Sequence, residues 1–298
     1  MKLSISNLER LSGIPIHTIR IWERRYNALT PSRSSGNTRS YTDLDLKRLL
    51  DISSLNQAGL KISQACALSP LEVDDFLKKD IDKTINSNIQ YEFYISQLLK
   101  FGIAYNELSF ADLLTQAITE HGVEVSYQQI IYPLLQRLGL MWRRDNICPA
   151  QEHFISGIIR QKLMTAIDSI PLKIQTKSTW LLFLPEDEAH EIPLLFASYL
   201  LRTYGFKVLY LGDRVPIESL KDVMKNFKAE HLLFFMVRQR TIADARSYIA
   251  AIENNFSDVK IHLAGNEKLI NNLSLNDRIN HFSSIEEFKN LLINLNHA

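Results

Sequence analysis

Cysteine is scarce. The chain has two, Cys66 and Cys148, far apart and without a CxxC partner. That excludes a disulfide scaffold and a cysteine-built zinc site. No apolar run reaches membrane-spanning length, and the N-terminus lacks the apolar core of a signal peptide, so a cytoplasmic protein is expected. Low-complexity tracts and repeats of fixed period are missing too, which excludes a repeat array. Net charge is only +1, which excludes a uniformly basic nucleic-acid coat.

What is present is distributed unevenly. The 298 residues suit two or three domains, and a hydrophobic content of 46% allows sizeable cores. Residues 1–50 carry nine cations (Lys2, Arg10, Arg20, Arg24, Arg25, Arg33, Arg39, Lys47 and Arg48) against four anions (Glu9, Glu23, Asp43 and Asp45). That end is +5, which leaves −4 for the rest. A basic end on a slightly acidic chain points to a local polyanion contact.

The pattern of apolar residues changes twice along the chain. Residues 5–12 and 16–26 read as short helices, broken at Gly13-Ile14-Pro15 because the residue before proline avoids the helical region. Ser4 or Ser6 suits the cap of the first helix, and His17 or Thr18 the opening of the second. A polar stretch, Ser32 to Ser40, centres on Gly36-Asn37 and reads as a hairpin. Helical spacing returns over 43–57 with Leu44, Leu46, Leu49, Leu50, Ile52 and Leu55, stops at Gly59, and resumes over 62–68. Four amphipathic segments follow (Tyr91 to Tyr105, Phe110 to His121, Ser126 to Met141 and Ala150 to Ile170) and predict a helical bundle. After Pro171 short apolar runs alternate with helices. Strands are expected at 180–184, 208–211, 232–237 and 261–264, the grammar of a parallel doubly wound sheet.

Two constellations carry chemistry. On the second helix Thr18, Arg20, Arg24 and Arg25 can present hydrogen-bond donors to a major groove. Arginine forks suit guanine edges and phosphates alike. Arg33 and Arg39 on the hairpin can reach backbone or minor groove as a wing, and Tyr41 can bond a phosphate. The plainer reading of a basic helix is a solvated face. The second constellation is Glu186-Asp187-Glu188-Ala189-His190, at the carboxyl end of the first sheet strand, where open α/β sheets bind ligands. A histidine there can coordinate a metal through one ring nitrogen while an acid holds the other. Trp142 and the pair Glu152-His153, separated by the nine residues Arg143 to Gln151 across a helix–helix connection, can cover one ligand from above. The plainer readings are a loop histidine, a core tryptophan and a helix-start glutamate.

Order adds what charge alone does not. Thr18-Ile19-Arg20-Ile21-Trp22-Glu23-Arg24-Arg25-Tyr26, then Leu29-Thr30-Pro31-Ser32-Arg33, then Asn37-Thr38-Arg39-Ser40-Tyr41 resembles the MerR winged-helix signature. The Trp-Glu-Arg-Arg-Tyr version resembles the branch fused to cobalamin-binding domains, the CarA, CarH and LitR type. Trp142, Glu152 and His153 match that family's cap motif, and Glu188-Ala189-His190 its lower-ligand loop. The resemblance implies a four-helix cap over a Rossmann-like domain, with His190 as the metal ligand to cobalt. Cobalamin, in its adenosyl form, would be the cofactor, with Gly265 among the residues around it. Departures are visible. Pro193 stands where a glycine is expected, Val237 falls where a Ser-x-Leu element should follow the third strand, and Ala264-Gly265 replaces Gly-Gly. Arg238 and Arg240 put cations where a neutral pocket is expected. Some light-sensing members carry a histidine directly after the cap tryptophan; here it is Arg143, whose guanidinium offers no lone pair to a metal.

The expected architecture is multidomain: an α winged helix-turn-helix over 1–72, a four-helix bundle over 88–172, and an α/β Rossmann-like doubly wound parallel sheet over 173–298. The expected function is a non-enzymatic transcriptional repressor on double-stranded promoter DNA. It would act as a homodimer or homotetramer under a cobalamin-type sensor, with an antagonist protein as a further partner. Two alternatives stay open: the same fold without cobalamin, answering to a protein partner or another ligand, and a corrinoid enzyme.

Overall fold

The computed structural model describes residues 3–12, 14–33, 39–57, 60–69, 72–73, 87–142, 149–171, 178–238, 240–273 and 275–297. The Gly36-Asn37 hairpin tip, Gly13, Gly59, Arg143 and Cys148 lie outside them. The chain divides into two compact units, Met1–Ile159 and Arg160–Ala298.

The first unit opens with helices α1 (Ile5–Ser12) and α2 (Ile16–Tyr26). Ser4 caps α1: its hydroxyl accepts from the Asn7 amide at 3.2 Å while Asn7 Oδ1 accepts from the Ser4 amide at 2.7 Å. Helix α2 opens at Ile16, directly after Pro15, and the Glu9 carboxylate accepts from the Ile16 amide at 2.8 Å. It ends at Asn27, in the left-handed conformation that asparagine tolerates. Strands β1 (Ser32–Arg33) and β2 (Arg39–Ser40) pair antiparallel, and Tyr41 continues into a backbone bridge with Leu3. Helix α3 (Asp43–Gln57) begins with Thr42 and Asp45 exchanging side-chain and backbone hydrogen bonds. It buries Leu46, Leu49, Leu50, Ile52 and Leu55, whereas Leu44, expected on the same stripe, is 75% exposed. Helix α4 (Ile62–Ala67) follows; Arg48 on α3 donates to the Cys66 and Leu68 carbonyls at its end.

The bundle consists of α5 (Ser87–Ile103), α6 (Glu107–Ser126), a π-helical turn (Tyr127–Ile131) leading into α7 (Tyr132–Trp142), and α8 (Pro149–Asp168). Its core holds Tyr94, Leu98, Phe110, Leu114, Ile131, Leu134, Ile155 and Ile159. Gly122 (φ 77°) breaks the helical run of α6 just after His121, where the sequence pattern also ended. A bidentate pair, Arg137 to Glu92 at 2.6 Å on both arms, ties α7 to α5. The winged helix and the bundle share one unit because α3 packs along α5 and α1 touches α7. Lys100 Nζ on α5 sits 2.8 Å from the buried Asp51 carboxylate on α3.

The second unit is a five-stranded, all-parallel sheet in the order β4-β3-β5-β6-β7. Its strands are β3 (Thr179–Pro185), β4 (Lys207–Val215), β5 (His231–Met236), β6 (Lys260–Gly265) and β7 (Ile279–Phe282). They alternate with α9 (Glu191–Thr203), α10 (Ile217–Asn226), α11 (Ile242–Asn255), α12 (Glu267–Ile270) and the closing α13 (Ile285–His297). β3 and β5 are internal and near-continuously apolar, as a strand covered on both faces requires. One face packs Leu181, Phe183, Leu232, Phe234, Ile261 and Leu263 against α10 and α11 residues such as Leu220, Ala245 and Ile249. The alternate positions place Trp180, His231 and His262 in a stack on the other face.

Candidate functional site

In the first unit the helix period sets the geometry of the basic face. His17, Arg20, Ile21 and Arg24 fall at i, i+3, i+4 and i+7 and therefore share one side of α2. They line a concavity together with Arg33 and Arg39 of the hairpin, and with Glu9 and Glu23. Ile19 is fully buried and anchors the opposite side of the helix. Of the residues singled out from sequence, Arg20, Arg24, Arg33 and Arg39 are brought together. Thr18 is half-buried on α2, and Arg25 is exposed but does not line the concavity.

Tyr41 is placed differently from its expected phosphate contact. The ring is fully buried, and its hydroxyl donates to Glu23 Oε2 at 2.8 Å. Burial and the adjacent carboxylate push its ionisation above the usual tyrosine range. The hairpin's last residue turns inward to pair with Leu3, so the side chain becomes core. Glu23, which the sequence reading left out, takes both Tyr41 and Arg39, whose Nε donates to Glu23 Oε1 at 2.8 Å. The one signal for it in the sequence is an acid set among the arginines of a basic helix.

In the second unit the turn after β3 carries the other constellation. Glu188 is fully buried. Its Oε1 accepts from the Ala189 amide at 3.1 Å, from the His190 amide at 3.3 Å, and from His190 Nδ1. Its Oε2 accepts from the Val237 amide at 2.8 Å, the Arg238 amide at 2.7 Å, and Arg240 Nη2 at 3.4 Å. Burial alone would raise this carboxyl; the hydrogen bonds from His190 and from the Arg238 and Val237 amides outweigh it and hold it near 2. Arg240, 7% exposed in its side chain, also pairs with Asp187 at 3.2 Å. His190 precedes α9 as its cap residue and keeps 57% of its side chain exposed. With Nδ1 committed to a buried carboxylate, the ring orientation is fixed and coordination of a metal would fall to Nε2. Pro193 sits in the first turn of α9, where a missing N–H costs nothing. Gly265 (φ 135°) has a backbone reason to be glycine, since a Cβ there would stand 2.3 Å from the Met236 carbonyl oxygen.

The cap residues belong to the first unit. Trp142 is the last residue of α7. Glu152 ends the first turn of α8 and His153 follows it, with Ser156 donating to Glu152 at 2.7 Å and His153 Nδ1 3.2 Å from its other oxygen. Among the described residues, no group of three or more His, Cys, Asp or Glu side chains is placed to hold a metal ion. No described helix is long and apolar enough to cross a membrane.

These parts define a class: a winged helix-turn-helix with a basic concave face, in a chain that also carries a helical bundle and a Rossmann-like sheet with a buried-acid–histidine pair at its carboxyl edge. Known proteins share these parts. Residues 3–68 match the MerR HTH family of regulatory proteins, and residues 94–166 match the B12 binding domain. The chain therefore combines a MerR helix-turn-helix domain with a B12-binding domain, the build of a DNA-binding transcriptional regulator with a cobalamin-type sensor. It is 29% identical over 236 residues to the HTH-type transcriptional repressor CarH of Myxococcus xanthus, covering 78% of each chain. It is 28% identical over 243 residues to the repressor CarA of the same organism, covering 80% of this chain and 78% of that one. Among solved structures, the monomethylamine corrinoid protein of Methanosarcina barkeri shares the fold, with a TM-score of 0.50, 14% identity, and coverage of 67% of this chain and 96% of that one.

Proposed function

We propose that this chain is a cytoplasmic transcriptional repressor that grips promoter DNA with its winged helix and sets that grip by binding a cobalamin, in the adenosyl form. The observation that carries the sensor half is the Glu188–His190 pair. A buried, ionised carboxylate fixes the tautomer and orientation of a histidine that is itself largely exposed, as a metal-ligating imidazole requires. Cobalamin supplies its own cobalt in a macrocycle, so one protein ligand is sufficient. Residues 1–72 would read DNA, 88–172 would form the four-helix cap domain that contributes Trp142, Glu152 and His153, and 173–298 would contribute His190 as the ligand. Arg20, Arg24, Arg25, Arg33 and Arg39, with Thr18, would make the DNA contacts. The chain would bind as a homodimer or homotetramer, since a two-fold protein suits a pseudo-palindromic site. An antagonist protein is a further partner in this reading, and catalysis has no part in it.

A second reading, the same fold without the cofactor, is favoured by one observation: Arg240 lies against Glu188 and Asp187, where the cobalamin-binding pattern expects no cation. One experiment separates the two. Purified protein is incubated with adenosylcobalamin in the dark, desalted, and its spectrum recorded. The first reading expects retained corrinoid with a histidine on cobalt, lost in His190→Ala. Corrinoid-free protein after desalting supports the second.

A further inference from the structure

Two acids stand in the basic concavity of the winged helix, where a phosphate backbone would repel them. Glu9 is accounted for by helix capping, since its carboxylate accepts from the Ile16 amide. Glu23 makes no such contact with its own helix. Its side chain is 12% exposed, and its two oxygens go to two residues of the hairpin: Oε1 to Arg39 Nε and Oε2 to the Tyr41 hydroxyl, each at 2.8 Å. The hairpin needs such a tether. Its strands are two residues long, and an isolated two-stranded ribbon is not stable in water. The Leu3–Tyr41 backbone bridge fixes its base at Tyr41. Glu23 fixes its second strand to α2 and restrains an arginine that is still 39% exposed. A side chain ordered before binding loses less entropy on binding.

We propose that Glu23 is a positioning residue for DNA reading: it clamps the wing to the recognition helix, so that Arg39 meets DNA at a set reach from Arg20 and Arg24. The proposal rests on the DNA-binding reading above. It reverses the sign expected from simple charge. Removing an anion from a phosphate-facing surface should tighten binding. Removing a clamp should weaken it, by the worth of one misplaced arginine contact, about 5- to 150-fold.

The test uses the full chain and a duplex that the wild-type protein enriches from a random pool, with a shuffled duplex beside it. Glu23→Ala and Glu23→Gln should bind the enriched duplex more weakly and lose preference over the shuffled one. In an Arg39→Ala background the Glu23→Ala effect should shrink, because the two act as one unit. Unchanged or tighter binding by both Glu23 variants overturns the clamp, as does a loss that is fully additive with Arg39→Ala. A second readout needs no DNA. Hydrogen exchange of the Arg39 and Ser40 amides in the free protein should quicken in Glu23→Ala, and unchanged exchange overturns the proposal. A wild type that enriches no duplex counts against the DNA-binding reading, while the exchange result still decides the clamp.

Discussion

Acid should loosen the second unit through a buried histidine pair. His231 and His262 are 2% and 0% exposed, joined Nδ1 to Nε2 at 2.9 Å, and stacked on Trp180 with ring centroids 4.2 and 4.8 Å away. Burial, with the Lys260 ammonium nearby, pushes His231 down to about 4; burial, then His231 and Lys260, push His262 down to about 3. The Asn280 amide, 3.5 Å from His262 Nδ1, supplies no compensating charge. Both rings are lowered from 6.5. The unfolded chain therefore takes up protons that the folded chain refuses, and stability is complete above pH 6.5 and falls as pH drops toward 4. At pH 5 each ring accounts for about 2 kcal/mol, together about 4 kcal/mol, a large share of the stability of an ordinary domain. The assay is urea unfolding at pH 8 and pH 5, read by a hydrogen-exchange pulse at one common pH and followed in peptides from β3, β5 and β6. The midpoint should fall sharply at pH 5, and His262→Asn should recover about half of the difference. An unchanged midpoint, or either ring titrating near 6.5 by NMR, refutes the reasoning.

Other perturbations have equally definite signs. Arg20→Ala and Arg24→Ala should each weaken binding to the enriched duplex by ~1–3 kcal/mol, and Arg25→Ala, outside the concavity, by less; direct titration compares them. Tyr41→Phe should lower stability by about 1 kcal/mol through its lost bond to Glu23, measured by thermal unfolding. Glu188→Gln removes the charge that receives the Val237 and Arg238 amides, and should cost about 2–4 kcal/mol with faster exchange at those two amides. Gly265→Ala drives a Cβ into the Met236 carbonyl and should destabilise the sheet by at least 1–3 kcal/mol in urea.

Much of this was legible where a period is unambiguous. The leucines of α3 repeat at helical spacing and all but Leu44 are buried. The run Trp180 to Leu184 reads as a doubly covered strand and forms the interior strand β3. The fifth strand, Ile279–Phe282, was not legible: four residues with two polar ones, at the sheet edge, carry no pattern. Site chemistry divides the same way. Glu188 reads as an acid beside a histidine, but its full burial depends on amides from Val237 and Arg238, which only the folded sheet brings near. Tyr41 reads as a surface hydroxyl at the end of a polar hairpin. Its burial follows from a tertiary bridge to Leu3 that no local pattern encodes.

The most direct measurement of the central claim is operator affinity with and without the cofactor. The enriched duplex is titrated with wild-type protein and with His190→Ala, each in the dark, with and without adenosylcobalamin. The account predicts that the cofactor changes wild-type affinity and leaves His190→Ala unmoved. Equal affinities with and without cofactor in the wild type, or an equal response in His190→Ala, would contradict it.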